Sequence, residues 1–323
     1  MLRYLIRFLI LVLVLLTTAA CSGRSQVFES KSEVTSLSWS PDGQTLASGS
    51  TDGTLALWDV TRDKRFPTMQ APLWINSVAW SPDGIYLASG SLSVLAENTI
   101  LLWNPSTGGN VETISVPTPD LWSIAWSPDS RTLAAGTEDE VILWNIASGQ
   151  VSTLEGHTGI VLSLAWSPNG QVFASGSQDG TIILWNAITG EHLRTVTSYP
   201  DVYISSLAWS PDGGFLAATS CSANSGVLEY CLILILDPST GERLQTLQGD
   251  SSIFTDLAWS PNGEILAAGS LEGTITLWDT STWKHLRTFR GHVDTRCLAW
   301  SPDGHILASG SEDGTIILWS VNR

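Results

Sequence analysis

Seven times this chain writes Trp-Ser-Pro, at Trp39, Trp80, Trp126, Trp166, Trp209, Trp259 and Trp300, and Asp-Gly or Asn-Gly completes the motif in all but one. The intervals are 41, 46, 40, 43, 50 and 41 residues. A fixed period of about 40 residues means a repeat architecture, in which each unit buries its apolar face only against its neighbours. A second tryptophan follows most of the motifs, at Trp58, Trp103, Trp144, Trp185, Trp278 and Trp319. The two sets absorb 13 of the 16 tryptophans and leave Trp74, Trp122 and Trp283 to be explained otherwise.

The fourth repeat spells out the unit. An apolar strand ending at Trp166 meets the turn Ser167-Pro168-Asn169-Gly170. Proline presets φ at the second turn position and glycine accepts the left-handed region. A second strand follows over 172–177, then an Asp179-Gly180 hairpin signal, a third strand over 181–185, a turn at 187–190 and a fourth strand over 192–197. Four short antiparallel strands per repeat predict one blade of a β-propeller, so the expected fold is all-β and seven-bladed. The last repeat ends after its third strand, and the segment 26–29 stands before the first repeat as a fourth strand stands before the fifth. The last blade is therefore expected to be closed by the N-terminal strand, which removes exposed sheet edges.

Gly-His, Leu-Ala-Trp-Ser-Pro-Asp-Gly, Leu-Ala-Ser-Gly-Ser, Asp-Gly-Thr-Ile and Leu-Trp-Asp together resemble the WD-repeat family, across residues 26–323. TolB-type propellers also carry Trp-Ser-Pro-Asp-Gly turns but lack the regular third strand. The resemblance implies a buried His, Ser, Asp, Trp tetrad, which maps onto His157, Ser175, Asp179 and Trp185 and again onto His292, Ser309, Asp313 and Trp319. These groups then satisfy one another structurally rather than serve catalysis. Other blades depart from the pattern: the first has no histidine, Ala135 takes the serine place and Ser130 the turn glycine in the third, Leu236 replaces tryptophan in the fifth, and the sixth has Ala268 and Glu272.

Residues 1–20 are expected to be a signal segment: Arg3 and Arg7 precede an apolar stretch over 8–16, followed by small residues. Thr18-Ala19-Ala20-Cys21 resembles the lipobox of bacterial lipoproteins, with Thr18 where leucine is usual, and implies lipidation of Cys21. Residues 21–25 then form the anchor cysteine and a short linker. The expected location is extracytoplasmic and membrane-anchored; a single-span anchor and a secreted chain are the alternatives. Cys221 and Cys231 bracket an insertion and are read either as a disulfide, as an oxidising compartment allows, or as two thiols on adjacent strands. Cys297 lies in an apolar strand and reads as a core thiol.

The net charge of −16, with no basic run, argues against nucleic-acid binding. No phosphate loop, nucleophile elbow or zinc-ligand spacing occurs, so no catalytic residue, metal or cofactor is expected. Function is expected on the top face, built from the loops before each first strand and between second and third strands. Two of those loops are enlarged, over 91–98 and 220–232. Trp74 and Trp122 enter their first strands there, and Tyr203 and Arg296 occupy the equivalent positions in other repeats. Aromatic residues and arginine are the side chains that dominate binding hot spots; packing between blades is the competing role. The expected protein is a monomeric, membrane-tethered scaffold binding a protein partner through Trp74, Trp122, Tyr203 and Arg296. The alternative is an extracytoplasmic propeller enzyme, or a carbohydrate or small-ligand module, using the central channel.

Overall fold

The Trp-Ser-Pro segments fold into corners that their own side chains lock. The computed structural model describes residues 26–92, 98–116, 120–197, 202–224, 227–249 and 253–321; segment 1–20, Cys21 and the linker to 25 lie outside them. At the first corner the Gly43 amide bonds the Ser40 carbonyl at 2.9 Å with Gly43 at φ 69°. The Ser40 hydroxyl donates to Asp42 at 2.6 Å and accepts the Thr45 amide at 2.9 Å, which fixes the register of the two strands it joins. In the third repeat Ser130 takes the glycine place at φ 61°, and its hydroxyl accepts the Asp83 amide of the preceding blade at 3.0 Å.

Seven antiparallel sheets result, one per repeat. Blade 4 is typical, running Val161–Trp166, Val172–Ser177, Thr181–Asn186 and His192–Thr197 from the inside outward. In blade 1 the outer strand is broken into Lys64–Arg65 and Met69–Gln70, both paired with Thr54–Asp59. Blade 7 consists of Cys297–Trp300, Ile306–Gly310, Thr315–Ser320 and, outermost, the N-terminal strand Gln26–Glu29, whose Phe28 stands opposite Ile316. The fold is a seven-bladed all-β propeller closed by its N-terminal strand.

The enlarged segment of blade 5 differs from expectation. Leu216–Asn224 and Val227–Leu236 pair out to Asn224 opposite Val227, so most of 220–232 is a two-stranded arm rather than a loop. The run Val-Leu-Glu-Tyr-Cys-Leu-Ile-Leu is rich in strand formers, and the ladder continues through it with one bulge, between the pairs Ser222–Tyr230 and Ala223–Leu228. In blade 2 the strands reach Leu92 and resume at Asn98; residues 93–97 between them lie outside the described residues.

The corner tryptophans join the blades. The indole N–H of Trp126 donates to the Ala79 carbonyl of the preceding blade at 3.0 Å, and Trp166, Trp209, Trp259 and Trp300 repeat this on Ala125, Ala165, Ala208 and Ala258. Trp39 makes the bond that closes the ring, to Ala299 at 3.0 Å. Trp80 is the exception: its indole nitrogen is buried without a partner, and Ser38 takes the alanine place in blade 1. The apolar core lies between blades, as where Ile182 and Leu184 of blade 4 pack with Ile204 and Leu207 of blade 5.

In blades 1, 2, 4 and 7 the second tryptophan ties its blade together internally. Trp58 donates to Ser48 at 2.9 Å and Trp103 to Ser89 at 2.9 Å. In blade 3 alanine stands at this place, and the Trp144 indole N–H is left buried and unpaired. Ala135→Ser should supply the acceptor and stabilise the protein by about 1 kcal/mol, the net worth of one buried hydrogen bond. The check is a higher urea midpoint at unchanged slope.

Candidate functional site

A propeller blade has two ends. The Trp-Ser-Pro turns and the turns from third to outer strand share one face, called here the turn face. The blade-to-blade connections and the second-to-third-strand hairpins form the other, the top face.

The tetrad residues lie toward the top face and are used up in holding it. In blade 4 the Trp185 indole N–H donates to Ser175 at 2.8 Å, and the Ser175 hydroxyl lies 2.7 Å from His157 Nε2. His157 Nδ1 is 3.1 Å from Asp179, whose other oxygen accepts the Thr181 hydroxyl at 2.6 Å. One neutral tautomer satisfies the whole chain: Trp N–H to Ser, Ser O–H to Nε2, Nδ1–H to Asp. Burial holds the His157 pKa below its ordinary value, against the opposing pull of Asp179, in keeping with that neutral ring.

Blade 7 builds the same chain with one more link. Trp319 donates to Ser309 at 2.7 Å, and Ser309 lies 2.6 Å from His292 Nε2. His292 Nδ1 bonds the Thr315 hydroxyl at 2.9 Å, and Thr315 donates to Asp313 at 2.6 Å. Asp313 thus reaches the imidazole through Thr315. Burial lowers the His292 pKa to about 4.

The four expected partner-binding residues occupy distinct environments. Trp74 opens the first strand of blade 2 and is 59% exposed. Trp122 in blade 3 is half-buried; its carbonyl accepts the Asn76 side-chain amide at 2.8 Å, which ties it to the strand carrying Trp74, and its own indole N–H has no partner. Tyr203 packs against the core shared by blades 5 and 6, and burial raises its hydroxyl pKa. Arg296 in blade 7 is enclosed by carboxylates: Asp294 at 2.9 Å, Glu33 at 3.2 Å and Glu312 at 3.2 Å. Trp74 and Trp122 therefore sit on adjacent blades, whereas Tyr203 and Arg296 occupy separate sectors. Trp283, in a turn-face turn, meets Phe215 and Trp259 edge-on at 5.6 and 6.0 Å and packs there.

Sequence reasoning missed several groups. Glu33, Asp294 and Glu312 come from three separate loops, so only the fold assembles them around Arg296. Burial raises the Glu33 pKa and Arg296 opposes the rise. Val293, beside this cluster, is 70% exposed. Asp256 occupies the place where Ser36, Ser77, Ser163 and Ser206 each accept an amide from the next blade. Its carboxylate accepts the Leu298 amide at 2.8 Å, the Ser206 hydroxyl at 2.9 Å and the Leu257 amide at 2.9 Å, and so spans blades 5, 6 and 7. Burial pushes its pKa up to about 6 despite those bonds.

Cys221 and Cys231 face each other across the blade 5 arm with their sulfurs joined, and Cys297 is a free, buried thiol. Among the described residues no three His, Cys, Asp or Glu side chains converge as a metal site.

The sequence profile described as "WD domain, G-beta repeat" matches residues 23–59, 65–104, 109–145, 148–186, 190–227, 241–279 and 283–320. Among individual proteins, the chain is 30% identical over 123 residues to "Small ribosomal subunit protein RACK1" of Schizosaccharomyces pombe, covering 35% of this chain and 38% of that protein. It is 30% identical over 214 residues to "Anaphase-promoting complex subunit cdc20" of Dictyostelium discoideum, covering 60% of this chain and 39% of that one. It is also 30% identical over 228 residues to "Protein FIZZY-RELATED 1" of Arabidopsis thaliana, covering 68% of this chain and 44% of that protein. The chain thus spans less than half the length of these relatives.

Proposed function

The chain belongs to the WD-repeat family, and from that premise we propose that it is a non-catalytic scaffold that binds a protein partner through the top face of its propeller. The observation that carries this reading is the contrast on that face. Its chemistry-bearing pairs, the histidines and carboxylates of blades 4 and 7, are closed hydrogen-bonded chains, while Trp74 and Val293 stand 59% and 70% exposed on the same face. An exposed tryptophan next to a half-buried one, Trp74 beside Trp122, supplies the aromatic anchors that protein interfaces favour. Two of the relatives are named as subunits of larger assemblies, which agrees with a role in protein assembly.

The N-terminal sequence adds the setting. The basic start, short apolar core and Ala-Ala-Cys ending favour an extracytoplasmic, membrane-tethered bacterial lipoprotein carrying lipid on Cys21. The ring then holds its top face as a rigid, outward-facing platform.

Crosslinking in intact cells followed by mass spectrometry tests the binding role. Trp74→Ala combined with Trp122→Ala should lose most of the wild-type crosslinked partner while the thermal midpoint stays within the folded range. Unchanged capture by the double variant would remove these two residues from the interface.

A further inference from the structure

On the turn face, neighbouring blades meet in clefts that the chain does not fill alike. Between blades 5 and 6 it fills one with its own indole. Trp283, in the turn from the third to the outer strand of blade 6, packs edge-on against Phe215 and Trp259 at 5.6 and 6.0 Å, on the core that holds Ile235. It does so from a left-handed backbone, at φ 56°. A bulky residue in that region is an outlier that persists only where its surroundings hold it. The indole is therefore held there by the cleft rather than by its turn.

Between blades 4 and 5 the equivalent cleft stands open. Gly241 takes the place of Trp283: each donates its amide to the carbonyl of the aspartate that opens its turn, Asp237 or Asp279, at 2.7 Å, and Gly241 has φ 77°. A Cβ on Gly241 would lie 3.1 Å from Arg194 Cδ and from Val196 Cγ2 of blade 4. Val172 stands where Phe215 does, and Trp209 where Trp259 does. What remains is a cavity of about 620 Å³ lined by Pro168, Val172, Leu184, Leu193, Trp209 and Pro238. That volume is in the range of small-molecule sites, which are likewise mostly apolar. The charged groups of its wall are held in place. Arg194 donates to the Thr240 and Ser239 carbonyls at 2.6 and 3.1 Å, and Asp212 accepts the Ser210 hydroxyl at 2.6 Å and the Gly214 amide at 2.9 Å. Such a lining suits a neutral ligand, and a fixed guanidinium adds attraction for an aromatic ring. The cleft between blades 1 and 2 also has a glycine in its turn, Gly108, but the chain's own Phe66 and Pro67 line it and Thr45 replaces the apolar wall.

We propose that the cleft between blades 4 and 5 is a binding site for a free, uncharged, planar aromatic molecule of indole size, seated against Trp209 as Trp283 is seated against Trp259. Exposed apolar residues are ordinary on a protein surface; here the next blade shows what the cleft accepts, because the chain has put an indole in it. Glycine for tryptophan and valine for phenylalanine leave that room empty between blades 4 and 5. The site lies on the face opposite the proposed partner surface, and it stands or falls independently of that reading.

Photolabelling of the full chain with 5-azidoindole, with adducts mapped by mass spectrometry, tests the site. Label that excess indole displaces should concentrate on the peptides carrying Leu193, Trp209 and Pro238. Gly241→Trp, which places an indole where blade 6 has one, should lower that label several-fold. Leu193→Glu, at a position 48% exposed, should lower it too without disturbing the core, and it decides the matter if Gly241→Trp does not fold. Trp283→Gly should add displaceable label at Phe215 and Trp259. Label that is absent or not displaced by indole in the wild type, or unchanged in folded Gly241→Trp, would overturn the site. A protein crosslink from a photoreactive residue at 193 in intact cells, without displaceable 5-azidoindole label, would assign the cleft to a partner's side chain and overturn the free ligand.

Discussion

Phe28→Ala should destabilise the ring by about 3–5 kcal/mol, the usual cost of emptying a buried phenylalanine site. Phe28 belongs to the strand that completes blade 7, yet its ring stacks on Trp58 of blade 1 at 4.9 Å and 25°. It is therefore both a rung of the last blade and a seal against the first. Only 6% of it is exposed, whereas its neighbour Val27 is 38% exposed. Val27→Ala should cost within about 0.5 kcal/mol, as surface changes do. Urea unfolding monitored by tryptophan fluorescence separates the two. A loss below about 1 kcal/mol for Phe28→Ala, the scale of an ordinary point change, would mean that the ring does not depend on its N-terminal latch.

The second large effect is in acid. His292 falls from an ordinary 6.5 to about 4 in the folded protein, so its contribution to stability is present above 6.5 and is lost as pH falls through 4. His157 is shifted in the same direction. Asp256 rises from 3.8 to about 6, which has the opposite sign: its contribution is present below 3.8 and is lost as pH rises through 6. Between pH 7 and pH 4 the histidines weaken the fold while protonation of Asp256 offsets them. Asp256→Ser, which restores the residue found at this place in other blades, should remove the offset. Relative to wild type, its stability should drop by about 3 kcal/mol more over that interval, at about 1.4 kcal/mol per pKa unit. Parallel stability curves for the two proteins would show that Asp256 ionises normally inside the ring.

Much of the fold was legible because it is written in short local signals. Pro168 and Gly170 announce a corner, Asp179-Gly180 a hairpin, and seven copies in phase announce a ring. The N-terminal latch was readable for the same reason: a missing fourth strand and a spare one balance. The contacts that make the ring cohere are not local. Trp39 and Ala299 are 260 residues apart, and no pattern around either marks the bond between them. Threonine meets the imidazole in both blades, Thr181 at 3.1 Å and Thr315 at 2.9 Å, but only His157 also meets its aspartate directly, a matter of placement rather than of residue type. On the candidate face, Trp74, Trp122, Tyr203 and Arg296 stood out as departures from the repeat, but their environments did not. Arg296 meets three carboxylates drawn from residues 33, 294 and 312, and Tyr203 turns partly into the core. The blade 5 arm was visible as an insertion, and its pairing followed from strand formers that a loop reading passes over.

The most direct test of the proposed scaffold role is where on the disc a partner touches. Photoreactive residues placed at 138 and 293 on the top face, and at 111 on the outer rim of blade 2, can be activated in intact cells. The account predicts one and the same protein adduct from 138 and 293 and none of it from 111. No protein adduct from either top-face position, or an equal yield of the same adduct from 111, would contradict it.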